Sequence, residues 1–264
     1  MRFARGCSPS RRPRRPRERE GGRARVKVAV LSDIHANLVA LETVLEAIGA
    51  VDALWVCGDT VGYGPDPSDV LALLIERKAT IVAGNHDRAV ARNEDLELFN
   101  RPAALAARMH QSWLSAAERD TLAALPITLE TADVTLCHGS LRDPLWEYVT
   151  NPRSAAASLA LAKTAHCCAG HTHVPALFHE GPDGERPGRP RYETPYPLKP
   201  RAFLNPGSVG QPRDGDPRAA YAVLDLDAGT VTFHRSSYRV DETQRRIRDR
   251  GLPAIFADRL AFGL

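Results

Sequence analysis

Short apolar runs that stop abruptly at polar clusters recur along the chain. Val26-Lys27-Val28-Ala29-Val30-Leu31 reads as a first buried strand and ends at Ser32-Asp33-Ile34-His35. Leu38, Leu41, Val44, Leu45 and Ile48 then repeat at spacings of three and four, the period of an amphipathic helix. Ala53-Leu54-Trp55-Val56-Cys57 predicts a second strand closing on Gly58-Asp59. Val70, Leu71, Leu73 and Leu74 mark a second helix, and Ala79–Ala83 a third strand that stops at Gly84-Asn85-His86-Asp87, read as a polar turn. Strand, helix, strand, helix, strand implies parallel strands joined by right-handed crossovers.

The pattern then changes. Residues 102–125 are Ala-rich and helical, and Ser115 with Glu118 three residues on forms a capping box, so a second helix starts there. Thr128–Glu130 and Val134–Cys137 form a hairpin-like pair, the latter ending at His138-Gly139-Ser140. A helix over Ser154–Ala162 and a strand over Thr164–Ala169 lead into Gly170-His171-Thr172-His173, and Val174–His179 predicts another strand. Residues 180–200 hold six prolines and three glycines, which predicts an irregular loop interrupting a hairpin. Phe203-Leu204 runs into Asn205-Pro206-Gly207-Ser208, Ala219–Leu226 and Gly229–Arg235 predict a closing hairpin, and a charged helical tail starts at Asp241. The loops at 62–68, 141–150 and 180–200 are expected to shape any pocket.

A chain of 264 residues suits one large domain with appendages. Its net charge of +3 is uneven: residues 1–25 hold ten arginines against Glu18 and Glu20, so this arm carries +8 and the remainder −5. The division expected is a disordered Arg/Pro-rich arm (1–25), a globular domain (26–240) and a C-terminal helical tail (241–264). A mildly acidic body gives no reason to expect nucleic-acid binding. Five cysteines (7, 57, 137, 167, 168) without CxxC spacing fit reduced thiols in the cytoplasm. No apolar segment follows the arginines to make a signal peptide, and no run has the length of a membrane span.

Chemistry concentrates at the strand ends: Asp33/His35, Asp59, Asn85/His86, His138 and His171/His173. In Asp33-Ile34-His35 the period of two puts both polar side chains on one face. Each cluster alone reads as a cap or a hydrogen-bonded core histidine. Buried together, carboxylates and imidazoles are costly without a cation to compensate them. Asp, Asn and His donors without a thiolate suit borderline ions such as Mn, Fe, Co, Ni or Zn. Three acids and amides with four imidazoles are too many for one tetrahedral ion and about right for two.

In this order Asp33-x-His35, Gly58-Asp59, Gly84-Asn85-His86-Asp87, His138 and Gly170-His171-x-His173 resemble the calcineurin-like metallophosphoesterases, over about residues 26–236. Gly62-Tyr63-Gly64-Pro65 and the run Asn205–Asp214 are similar to the small bacterial and archaeal phosphodiesterase branch often labelled diadenosine-tetraphosphatase-like. The resemblance implies an α/β fold, a four-layer α-β-β-α sandwich of two mixed sheets flanked by helices. It implies two divalent metal ions, manganese first: one on Asp33, His35 and His173, the other on Asn85, His138 and His171, with Asp59 bridging. His86 would be the non-ligand imidazole that protonates the leaving alkoxide. The substrate implied is a small phosphodiester, nucleotide or dinucleoside polyphosphate. Two further readings are a non-catalytic metal-binding scaffold on the same fold and a metal-dependent nuclease using the arginine arm.

Protein Ser/Thr phosphatases carry Asp and Arg soon after the bridging aspartate, where this chain has Thr60-Val61-Gly62-Tyr63. Protein phosphatase activity is therefore not expected, and no carboxylate that would orient His86 is identifiable. Arg213 either binds substrate phosphate through its guanidinium or is a surface arginine in a polar turn. Asn37 either caps the first helix or touches the substrate. The partners expected are a small phosphorylated substrate and no membrane, with homo-oligomerisation left open.

Overall fold

The computed structural model describes residues 26–131, 133–180, 190–198 and 201–264. The arginine arm, and residues 181–189 and 199–200 of the Pro-rich stretch, lie outside the described residues. In chain order the first elements are β1 (Lys27–Leu31), α1 (Leu38–Ile48), β2 (Ala53–Val56), α2 (Pro67–Glu76), β3 (Thr80–Ile81) and α3 (Asn85–Arg92). Next come α4 (Arg101–Trp113), α5 (Ala116–Ala124), β4 (Thr128–Glu130), β5 (Val134–Cys137), α6 (Pro152–Leu159), β6 (His166–Cys168) and β7 (Ala176–His179). The chain closes with β8 (Pro195–Pro197), β9 (Ala202–Asn205), β10 (Ala219–Asp225), β11 (Thr230–Ser236), α7 (Val240–Asp249) and α8 (Ala254–Leu260).

Two mixed sheets result, ordered β3-β2-β1-β10-β11-β8 and β4-β5-β6-β9-β7. β1, β2 and β3 are parallel, as are β5, β6 and β9, while β10 runs antiparallel beside β1 and β7 beside β9. The two faces of β1 explain the layering. Val28 and Val30 point between the sheets, where they meet Trp55, Val134, Leu136 and Leu204. Ala29 and Leu31 point the other way, against Leu41 and Val44 of α1 and Val70 and Leu74 of α2. On the far side of the second sheet, Cys137, Cys167 and Phe203 pack on Ala155 and Leu159 of α6. Burial on both faces is what makes these strands read as unbroken apolar runs. The four-layer arrangement follows from those three clusters.

Three local expectations change. Asn85-His86-Asp87 is the first turn of a helix, where Asp87 Oδ2 accepts the Gly84 N–H and satisfies a free donor at the helix start. Within the Pro-rich stretch, Pro195–Pro197 forms β8 on β11, at a sheet edge where proline's missing N–H is tolerated. The tail is two helices, and Ile247, Phe256 and Leu260 bury against Tyr63 and Ala103. The capping box at Ser115 and Glu118 is present, and α5 starts after it. No helix among the described residues is long and apolar enough to cross a membrane.

Candidate metal centre

Every chemistry-bearing cluster lies just beyond the carboxyl end of a parallel strand, where open α/β sheets expose ligand sites. Asp33 and His35 follow β1, Asp59 follows β2, Asn85 and His86 follow β3, His138 follows β5, and His171 and His173 follow β6. Holding them together strains the backbone. Asp33, His35, Asp59, His171 and His173 all take positive φ, between 49° and 66°. Such conformations cost on the order of 1 kcal/mol each and cluster where function requires them. Here they are pinned by hydrogen bonds between the β1 and β2 loops, from Asp33 N to Gly58 O, His35 N to Asp59 O and Ala36 N to Thr60 O. Gly84 belongs to the same device, since a Cβ there would run into the Asp59 carboxylate.

The side chains form two groups that share Asp59: Asp33, His35, Asp59 and His173, and Asp59, His138 and His171. Asp59 Oδ2 lies 3.6 Å from His35 Nε2 and 3.3 Å from His138 Nε2. Asp33 Oδ1 lies 3.3 Å from His173 Nε2. Asn85 Oδ1 joins the second group, 3.1 Å from His138 Nε2. All seven residues are buried.

The outer nitrogens fix what the inner ones can do. His35 Nδ1 donates to Val61 O, and His173 Nδ1 donates to Gln211 O. Burial holds both rings far below their ordinary pKa, hence neutral. Their Nε2 atoms therefore carry bare lone pairs, yet face one another at 3.2 Å. Two acceptors cannot bond to each other. A cation between them turns the repulsion into coordination, and outer hydrogen bonds of this kind orient metal-ligating imidazoles. Asp33 Oδ2 is likewise buried without a hydrogen-bond partner among the described residues.

In the second group, His171 Nε2 donates to Trp146 O and His138 Nδ1 to Cys57 O. Burial alone would lower His138, but the Asp59 carboxylate overrides it and pushes it up to about 9. Burial also works against ionised Asp59, and His138, His86 and His35 overcome it and hold its pKa well below the usual carboxylate range. Burial pushes the Asp33 carboxyl up to about 7. The donor set is thus two carboxylates, one amide oxygen and four imidazoles, which fits a divalent metal site.

His86 stands apart from both groups. Its backbone N–H donates to Asp59 Oδ1, its ring lines the pocket over the centre, and burial lowers it to about 4. Among the described residues no carboxylate is hydrogen-bonded to the ring. Its Nδ1 has no hydrogen-bond partner among the described residues and lies against Gly62, where a Cβ would collide with it. Asp87 instead ties the loops, its Oδ1 accepting from Thr60 N, Thr60 Oγ1 and Val61 N. Arg213 lines the same pocket, bonded through Nη2 to Gln211 Oε1 at 3.1 Å, with a buried Nε that has no partner among the described residues.

Asn37 caps α1, its Oδ1 accepting from Ala40 N and Thr243 Oγ1 while Nδ2 donates to Gly210 O and Tyr238 OH. No group of its amide is left for a substrate. Sequence patterns gave no sign of His110, which sits mid-helix in α4, away from every strand end. It accepts from Gly62 N, donates to Gly64 O, and so clamps the turn that carries Tyr63. Burial lowers its pKa from 6.5 to about 4. Below pH 6.5 the unfolded ring takes up a proton that the folded ring refuses, so stability falls as pH falls, by about 3 kcal/mol at pH 4. Urea unfolding of wild type and His110→Gln is expected to show that the wild type's advantage shrinks by this amount between pH 7 and pH 4.

Two mixed sheets between helices, with Asp, Asn and His gathered at the strand tips, define a metallophosphoesterase architecture. Residues 26–229 match the calcineurin-like phosphoesterase superfamily domain, and the chain belongs to that family. It is 42% identical to a metallophosphoesterase from Sphaerobacter thermophilus of known structure, with a TM-score of 0.84 over 91% of this chain and 100% of that one. It is 30% identical to the uncharacterized protein MJ0912 of Methanocaldococcus jannaschii, across 89% of this chain and 98% of that protein. Phosphodiesterase YfcE of Escherichia coli K12 is 29% identical, across 78% of this chain and 91% of its own.

Proposed function

We propose that this chain hydrolyses a small phosphodiester, a nucleotide or a dinucleoside polyphosphate, using two divalent metal ions, manganese foremost. One ion is assigned to Asp33, His35 and His173, the other to Asn85, His138 and His171, with Asp59 between them. The observation that carries the reading is the pair of neutral imidazoles, His35 and His173, whose lone pairs meet at 3.2 Å beside buried carboxylates. Likeness to a relative named a phosphodiesterase supports the choice of a diester.

When bound, such ions neutralise phosphoryl oxygens and lower the pKa of water enough to supply a nucleophile near neutral pH. The protein's own groups do the rest. Arg213 offers its unpaired Nε–H to a phosphate oxygen, and its remaining bonds to Gln211 and Tyr63 hold the guanidinium in place. His86 rests neutral in the pocket, and the negative charge of a phosphate beside it raises its basicity until it can carry a proton to the leaving oxygen. Phe99 and Tyr63 pack edge-on to the His86 ring at 4.7 and 4.4 Å and shield it from bulk water.

Manganese-loaded protein is expected to hydrolyse bis-p-nitrophenyl phosphate, and chelation is expected to abolish turnover. Chelation also removes the ligation that relieves the facing lone pairs. Metal at a hundred times its Kd contributes about 2.7 kcal/mol, so Tm should drop by roughly 5–10 °C. A Tm shift without hydrolysis of any phosphoester would mark the chain as a metal-binding scaffold instead.

A further inference from the structure

The pocket over the metal centre has a volume of about 90 Å³ and an uneven wall that opens to solvent. Arg213, Asn85 and His86 line it, and so do Leu98, Phe99, Trp146 and Tyr148. These side chains form an arc linked through His171, which Trp146 meets edge-on and Tyr148 face-on. Phe99 meets Trp146 edge-on at 5.1 Å, and Trp146 Nε1 is anchored to Asp95 Oδ2 at 3.1 Å. Tyr148 stacks on His171 with ring centroids 3.9 Å apart and planes 26° from parallel. The backbone joins the arc to the centre, since Trp146 O accepts from His171 Nε2.

The arc is left open to solvent. Tyr148 is 52% exposed and Leu98 60% exposed, although both border a pocket whose floor is buried. Tyr148 has one face against His171 and makes no side-chain hydrogen bond to the described residues, so packing accounts for half of its surface only. Asn100, at the same rim, caps α4 through Oδ1 and keeps its NH2 unengaged among the described residues. A large flat aromatic side chain held rigidly beside a cationic phosphate site is the arrangement that binds a base by stacking, independently of which base it is.

We propose that Tyr148 and Trp146, flanked by Leu98 and Phe99, form a stacking platform for a nucleobase. The substrate is then a nucleotide-type phosphoester, not a sugar, lipid or protein phosphoester. The proposal rests on the phosphoesterase reading above and specifies the organic group that this site selects. Arg213 holds the phosphate end, the platform holds the base, and the Asn100 amide is within the same rim to meet a ring acceptor.

Calorimetric titration of the manganese-loaded protein with adenosine 5′-monophosphate and with ribose 5-phosphate isolates the base. Stacking of one base on an aromatic side chain corresponds to a preference of about 5- to 150-fold for the nucleotide. In Tyr148→Leu/Trp146→Leu the ratio is expected to fall to within about threefold of unity, and Tyr148→Phe, which keeps the ring, is expected to retain it. Equal binding of the two phosphates by wild type, or a ratio unchanged in the double variant, overturns the platform and leaves the phosphoesterase reading intact. Failure of both phosphates to bind, together with absent hydrolysis of bis-p-nitrophenyl phosphate, overturns both.

Discussion

Asp59→Asn is expected to lose metal from both groups at once, with turnover falling by about a thousandfold or more. The side chain keeps its size, and its Oδ1 can still accept the His86 N–H at 2.9 Å, so the helix start at α3 is preserved. What disappears is charge. Among the described residues Asp59 is the only one common to both clusters, and Asp33 is the only other carboxylate within them. Removing a single donor aimed at developing charge in a water-excluded site already costs roughly 10²–10³ in turnover. Losing half of the negative charge that faces the cations exceeds that. A second consequence separates ligation from folding. The upward push that Asp59 gives the His138 pKa goes with that charge, while the side-chain volume and the bond to the His86 N–H stay. The variant should therefore fold, by circular dichroism, yet show no rise in Tm when manganese is added. Elemental analysis checks the first claim and calorimetry the second. A variant with wild-type metal content and turnover would remove Asp59 from the centre of the scheme.

The parts of this centre that the sequence announces are those attached to strand ends. β1, β2, β5 and β6 are buried on both faces, so they read as apolar runs, and the first polar residues beyond them stand out. Asp33-x-His35 and His171-x-His173 are visible for that reason. The start of α3 is harder to see, because β3 has only two residues and the helix is stabilised by Asp87 bonds to Gly84, Thr60 and Val61 that span up to 27 residues. His110 and the α7 strut at Thr243 are invisible for a stronger form of the same reason. Thr243 reaches Asn37 across 206 residues, and α7 buries only Thr243 and Ile247, too few to give a periodic signal. Short-range pattern reports which residues meet the core. It does not report which polar group bridges two loops, and in this fold such bridges set the geometry of the pocket.

His86→Gln should separate the two jobs of the pocket, metal holding and proton transfer. His86 belongs to neither ligand group, so both ions should remain bound at wild-type stoichiometry. Its ring touches Tyr63, Phe99 and His35, and the shorter contacts of glutamine should lower Tm by several degrees without unfolding the chain at 25 °C. General acid assistance is worth about 10²–10⁴ in rate, but only when the leaving group needs the proton. p-Nitrophenolate departs as a stable anion, whereas the alkoxide of an alkyl phosphoester does not. Turnover of an alkyl ester should therefore fall by that factor in His86→Gln, and turnover of the p-nitrophenyl ester by less than about tenfold. An equal loss for both leaving groups would assign His86 to binding or to the field around the phosphate. An unchanged rate with the alkyl ester would leave the proton to come from water, with the imidazole serving only to fill the space between Gly62 and Phe99.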